Sequence, residues 1–128
     1  MEAVAQMQLG SWFAGCAIEA SMLGATHATA NPLTARYGTT HGSAIAIMLP
    51  HVVQWNGLRD YQELAPNLPM LLADLAAMAG LPGSLEEANV PPHDLPQLAE
   101  AAAQQWTGRF NPRPFDAAGA LELYQCAY

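Results

Sequence analysis

Prolines and glycines divide this chain into short segments rich in alanine and leucine. Ten residues of each type separate stretches in which apolar side chains recur at helical spacing. This punctuation leaves little room for strands. With 128 residues, of which 52% are hydrophobic, the chain can bury one core. We therefore predict an all-α fold, a helical bundle in which residues 1–128 form a single domain.

The N-terminal half predicts two long helices. The first covers residues 2–30, and because its apolar side chains occupy more than one face, we expect it to be a buried central helix. Pro32 is expected to end it, with a loop over residues 31–40. The second helix is predicted over residues 41–55, with Gly57 as its stop.

The C-terminal half predicts shorter elements. Helical segments are expected at residues 60–65, 68–79, 95–106 and 115–126. Ser84 and Glu87 have the spacing of a capping box, in which a hydroxyl and a carboxylate each accept from a backbone N–H. Residues 107–114 are expected to form a loop, and the Asn-Pro-Arg run within it is interpreted as shaping a turn.

Charge excludes two classes of partner. The formal net charge is −7, with four arginines and no lysine, so the basic surface of a nucleic-acid binder or an anionic-membrane binder is absent. No apolar stretch is long enough to span a bilayer, and no basic region precedes an apolar one at the N-terminus. We expect a cytoplasmic location, and we expect Cys16 and Cys126 to be reduced thiols.

Two histidines form the strongest chemical signal. His27 lies near the end of the first predicted helix and His41 begins the second, so both can face one cleft across the intervening turn. Neutral imidazole suits zinc and iron, but a catalytic site normally takes at least three protein ligands. No local cluster completes the set, because His51 and His93 are the only other histidines and no HExxH or CxxC motif occurs.

These residues belong to a longer pattern. Residues 24–56 follow GxxHxxAxPLxxxYxxxHGxAxAxxLPHVxxxN, which resembles the metal-site signature of the iron-containing (group III) alcohol dehydrogenases. That family shares a two-domain fold with dehydroquinate synthase and glycerol dehydrogenase. Residues 95–99 and 111–114 resemble the end of the family's helical domain, so the similarity extends over nearly the whole chain.

The resemblance implies roles for three residues. His27 and His41 match the two metal-binding histidines of the family's second half. Asn31 occupies a substrate-pocket position where many members have a histidine, and asparagine can form hydrogen bonds there but cannot titrate. Family members also have a nucleotide-binding N-terminal half, which supplies the other two metal ligands. This chain has no glycine-rich phosphate-binding run, so NAD(P) is expected to bind only when that half is supplied.

The resemblance leaves the activity of this chain open. Our first hypothesis is a fragment, or one half of a split enzyme, that is inactive alone and requires an N-terminal half to act on a small alcohol or aldehyde with iron or zinc. A second hypothesis is a non-catalytic helical module for self-association or partner binding, derived from that domain. A third is a metal site completed by symmetry, with His27 and His41 of two chains meeting at a dimer axis.

Overall fold

The computed structural model describes all residues from 1 to 128 and contains helices but no strands, which confirms the predicted fold class. The seven α-helices are α1 (Glu2–Ser21), α2 (Ala25–Tyr37), α3 (His41–Asn56), α4 (Arg59–Leu64), α5 (Leu68–Met78), α6 (Leu95–Ala103) and α7 (Ala117–Cys126). Two short 3-10 helices, Pro92–Asp94 and Trp106–Phe110, precede and follow α6.

The predicted first helix is two helices, so its continuity over residues 2–30 was wrong. α1 ends where Met22 takes a positive φ of 66° and its N–H bonds to the carbonyl of Ile18. Gly24 then precedes α2 in extended conformation. The apolar periodicity continues across this break, which is why the sequence pattern concealed it.

Pro32 lies inside α2 and does not end it, which corrects the predicted loop at residues 31–40. Proline removes one backbone hydrogen bond, here the one to the carbonyl of Ala28, and normally disfavours a helix interior. Pro32 is itself buried among core residues of α2, and we infer that this packing offsets the loss. The helix ends at Gly38, whose φ of 66° allows the left-handed cap.

The prediction that the first helix is buried was also wrong. None of the twenty residues of α1 is buried, and its large apolar side chains are among the most exposed in the protein. Trp12 and Phe13 are 62% and 58% exposed. The apolar character that predicted a central position therefore marks a helix that has no packing partner within this chain.

The remaining helices follow the predictions closely. α3 matches its predicted range, and Gly57 closes it with a φ of 60° and an N–H bond to the carbonyl of Val53. Ser84 accepts from the N–H of Glu87 at 3.1 Å, and the Glu87 carboxylate accepts from the N–H of Gly83 at 2.7 Å. α6 is shorter than predicted, because Trp106 begins the second 3-10 helix.

The core lies where α2, α3, α6 and α7 meet. Its largest side chains include Leu33, Ile47, Met48, Leu98, Leu123 and Tyr124. α5 packs along α3 without burying any of its own residues. No helix is long and apolar enough to cross a membrane. Cys16 and Cys126 are exposed and not joined by a disulfide.

Candidate metal centre

The two histidines singled out from the sequence lie side by side. His27 is in the first turn of α2 and His41 is the first residue of α3. Their ring centroids are 5.4 Å apart, with the ring planes tilted by 46°. The structure therefore brings together two rings whose residues are fourteen positions apart and begin successive helices.

Burial and charge keep His27 neutral. Burial lowers the pKa of His27, and the neighbouring His41 lowers the pKa of His27 further. A neutral imidazole has a free nitrogen lone pair, which is the form that binds a metal ion.

The distance between the rings suits joint ligation of one ion. Two imidazoles that bind one tetrahedral ion through nitrogens about 2.1 Å from it have ring centroids roughly 5 Å apart. The observed 5.4 Å is close to that separation. No group of three or more His, Cys, Asp or Glu side chains is arranged to hold a metal ion, at this pair or elsewhere in the chain. The pair therefore offers two potential ligands, fewer than the three that a catalytic site normally takes.

Asn31 lies one helical turn after His27 and faces the same side of α2. Its side-chain N–H donates to the side-chain oxygen of Gln105 at 3.0 Å. This bond spans 74 residues of sequence and joins α2 to the segment that leads into the second 3-10 helix. Asn31 thus positions that segment, a role that its sequence pattern did not indicate.

Three contacts hold the second 3-10 helix along α2. Asn31 contacts Gln105, and a methyl group at Gly108 would lie 3.4 Å from the side chain of Ala28. Near the start of α2, the N–H of Ala25 donates to the side-chain oxygen of Asn111 at 3.2 Å. The two segments therefore run antiparallel.

The outer edge of this 3-10 helix forms a group that the sequence analysis did not recognise as a unit. Thr107 and Gly108 are buried, whereas Trp106, Arg109 and Phe110 are exposed. Trp106, which was predicted to end a helix, begins this 3-10 helix and is 52% exposed. The signal that could have identified the group is the three-residue spacing of Trp106 and Arg109, which brings side chains into line on a 3-10 helix.

The other two histidines lie away from the pair. His51 is half-buried on α3 and lines a cavity of about 280 Å³ together with Trp55, Glu122 and Cys126. Burial lowers the pKa of His51. The side chain of His93 is 81% exposed and lies 3.8 Å from a carboxylate oxygen of Asp94.

Comparison with known proteins identifies the family. Residues 1–71 match the model of the Fe-containing alcohol dehydrogenase family, C-terminal. The chain is also 32% identical, over 142 aligned positions, to lactaldehyde reductase of Escherichia coli K12, covering 96% of this chain and 37% of the relative. This chain belongs to the iron-containing alcohol dehydrogenase family and corresponds to its C-terminal helical part.

Other relatives agree with this assignment. Maleylacetate reductase 1 of Cupriavidus pinatubonensis is 33% identical, over 94% of this chain and 36% of the relative. Among solved structures, an alcohol dehydrogenase from Oenococcus oeni matches with a TM-score of 0.79 at 27% identity, covering 90% of this chain and 35% of that one. A 1,3-propanediol oxidoreductase matches with a TM-score of 0.74 at 26% identity, covering 84% and 33%. The chain spans little more than a third of the length of the curated relatives it matches.

Proposed function

We propose that this chain is the metal-binding helical part of an NAD(P)-dependent alcohol or aldehyde oxidoreductase. The observation that carries the proposal is the juxtaposition of His27 and His41, with rings 5.4 Å apart and a lowered pKa at His27. An iron or zinc ion would supply Lewis acidity for a substrate oxygen. The nucleotide-binding half would provide the remaining ligands and the nicotinamide site, either upstream on the same polypeptide or on a separate chain.

In this proposal, residues of this chain bind the metal ion and position the segment beside it. The lowered pKa of His27 favours the neutral imidazole that a metal ion binds, and the His41 ring lies 5.4 Å from it. Asn31 holds the segment at residues 105–110 beside them through its bond to Gln105. Because an amide does not titrate, Asn31 shapes the cleft and carries no proton.

Metal titration of the isolated chain tests the ligand assignment. We expect weak, saturable zinc or ferrous-iron binding by calorimetry, because two histidines form an incomplete site. The double variant His27→Ala/His41→Ala should lose this binding. The matched variant His93→Ala, which removes an exposed histidine, should retain it. Equal binding by all three proteins would contradict the assignment.

Reconstitution tests the requirement for a second half. The isolated chain should not oxidise alcohols with NAD or NADP. Activity should appear when the N-terminal two-thirds of a family member is supplied, and it should depend on His27 and His41. Alcohol oxidation by this polypeptide alone would overturn the requirement for another half.

The exposure of α1 favours a second candidate function, a helical module for self-association or partner binding. Exposed apolar areas of several hundred Å² are sites of association, and α1 has five large apolar side chains at least 50% exposed: Val4, Met7, Leu9, Trp12 and Phe13. Light scattering after size exclusion distinguishes the cases. A metal-independent oligomer without reconstituted activity favours the module. Doubling of the mass on adding zinc, lost in the double histidine variant, favours a site shared between two chains.

A further inference from the structure

Arg109 is an arginine without an acidic partner. Arg36 lies 3.1 Å from a carboxylate oxygen of Asp94, and Arg113 lies 3.9 Å from one of Glu122. No carboxylate lies within 4 Å of Arg109, and its guanidinium makes no hydrogen bond within the chain. Arg59 likewise has no carboxylate within 4 Å, but of these two arginines only Arg109 lies over aromatic rings.

Two aromatic rings hold the Arg109 guanidinium. Its central carbon lies 5.9 Å from the ring centroid of Trp106 and 5.1 Å from that of Phe110. The two rings meet edge to face, with centroids 5.9 Å apart. Cation–π attraction favours this placement, and contact with the ring faces leaves the N–H groups along the guanidinium edge free to donate.

Arg113 provides the contrast. Its guanidinium also lies over an aromatic ring, 3.7 Å from the centroid of Trp55, but its N–H groups are occupied. One donates to the carbonyl of Trp55 at 2.7 Å, and another faces Glu122. The arrangement at Arg113 is thus complete within the protein, whereas the one at Arg109 lacks an acceptor.

The position of Arg109 connects it with the candidate metal centre. Gln105, which begins the segment, is bonded to Asn31, and Asn31 shares a face of α2 with His27. Trp106 follows Gln105 directly, and Arg109 is one 3-10 turn further along. The aromatic and cationic edge therefore borders the side of α2 on which His27 lies.

We propose that Arg109, framed by Trp106 and Phe110, binds the carboxylate of a small organic acid. A planar guanidinium with free N–H groups matches a carboxylate in a two-point contact, which a lysine cannot reproduce. The preferred ligand is an acid that also has an aldehyde or ketone oxygen. That choice of carbonyl rests on the proposed function, whereas carboxylate binding at Arg109 does not.

Nuclear magnetic resonance of the ¹⁵N-labelled chain tests the proposal without requiring activity. Glyoxylate is the carboxylate probe and glycolaldehyde the uncharged one. Glyoxylate should shift the Trp106 indole N–H signal in a saturable way, and glycolaldehyde should not. Arg109→Gln should weaken glyoxylate binding by about tenfold, because a charge-assisted contact is lost. Arg109→Lys should lie between the two.

Arg59→Gln is the matched control, since Arg59 on α4 also has no carboxylate within 4 Å. This variant should leave glyoxylate binding unchanged. The proposal is overturned if both probes shift the indole signal equally, if Arg109→Gln binds like the wild type, or if glyoxylate produces no shift. These outcomes are separate from those for metal binding and reconstitution, so either proposal can fail while the other holds.

Discussion

Asn56 and Asn111 exchange hydrogen bonds through their side-chain amides, although they are 55 residues apart. The Asn111 N–H donates to the Asn56 oxygen at 2.8 Å, and the Asn56 N–H donates to the Asn111 oxygen at 3.3 Å. Asn111 also accepts from the N–H of Ala25 and donates to the carbonyl of Arg113. One side chain thus fixes the start of α2, the end of α3 and the approach to α7.

Removal of this junction should destabilise the whole bundle. Asn111→Ala loses four hydrogen bonds, each with a net value of about 0.5–1 kcal/mol, so we expect the free energy of unfolding to fall by about 2–4 kcal/mol. Chemical denaturation followed by circular dichroism measures the change. The control is Asn67→Ala, whose amide contacts only the sulfur of Met70 at 3.5 Å and which should change stability by less than about 0.5 kcal/mol. Equal effects would contradict the role of Asn111.

Gly108 should not tolerate a methyl group. A Cβ atom there would lie 2.5 Å from the Phe115 ring and 3.4 Å from the side chain of Ala28, so Gly108→Ala should destabilise the fold by about 1–3 kcal/mol through overpacking. Gly42→Ala is the matched control, because nothing lies within 4 Å of that position in α3. It should be neutral or stabilising by up to about 1 kcal/mol. Thermal unfolding of both variants measures whether Gly108→Ala lowers stability while Gly42→Ala does not.

His51 should make stability depend on pH. Because burial lowers the pKa of His51 in the folded chain from 6.5, the unfolded chain binds a proton more readily. The contribution of neutral His51 to the free energy of unfolding is complete above pH 6.5. It is lost as the pH falls from 6.5 through the lower pKa of His51 in the folded chain. Denaturation between pH 5 and pH 8 should show a smaller decline for His51→Gln than for the wild type.

His27 contributes to that decline with the same sign, since its pKa is also lowered. It is present in both proteins, so the difference between them isolates His51. Gln54→Asn alters the same cavity without removing a titrating group and should keep the wild-type dependence. Identical curves for the wild type and His51→Gln would show that His51 does not carry the effect.

The sequence predicted the helical class and, within one residue, the ends of α3 and α5. Caps such as Gly57, whose left-handed conformation closes α3, act locally and can be identified from the sequence. The prediction from sequence failed at Pro32, where burial among core residues outweighs the preference of proline against a helix interior. It also failed at α1, because an apolar composition predicts that a helix is buried but does not show that a packing partner is present.

Only part of the candidate site could likewise be predicted from the sequence. The sequence predicted that His27 and His41 face one cleft, and the structure places their rings 5.4 Å apart. The predicted position of His27 at the end of a helix was wrong, because His27 lies in the first turn of α2. The Asn31 bond to Gln105 depends on a contact across 74 residues, and no local pattern indicates it. The exposed edge formed by Trp106 and Arg109 likewise depends on a 3-10 helix where a longer α6 was predicted. Ligation of a metal by the two histidines stays a prediction.

Tyr124 attaches α7 to α2 through a single buried hydrogen bond. Its hydroxyl donates to the carbonyl of Thr29 at 2.7 Å, and the side chain is fully buried. Burial raises the pKa of Tyr124, so the hydroxyl keeps its proton as a donor. Tyr124→Phe leaves the ring packing intact but removes this buried hydrogen bond, and it should lower the free energy of unfolding by about 1–2 kcal/mol.

Tyr61→Phe supplies the comparison for Tyr124→Phe, because the Tyr61 hydroxyl makes only a long contact of 3.5 Å with Asn56 and its loss should cost less than about 0.5 kcal/mol. Urea denaturation of both variants measures the difference. Hydrogen exchange adds a local measurement, since the amides of α7 should lose more protection in Tyr124→Phe than those of α5, which packs mainly on α3. A uniform loss in both helices would mean that the hydroxyl stabilises the bundle as a whole and does not specifically hold α7 against α2.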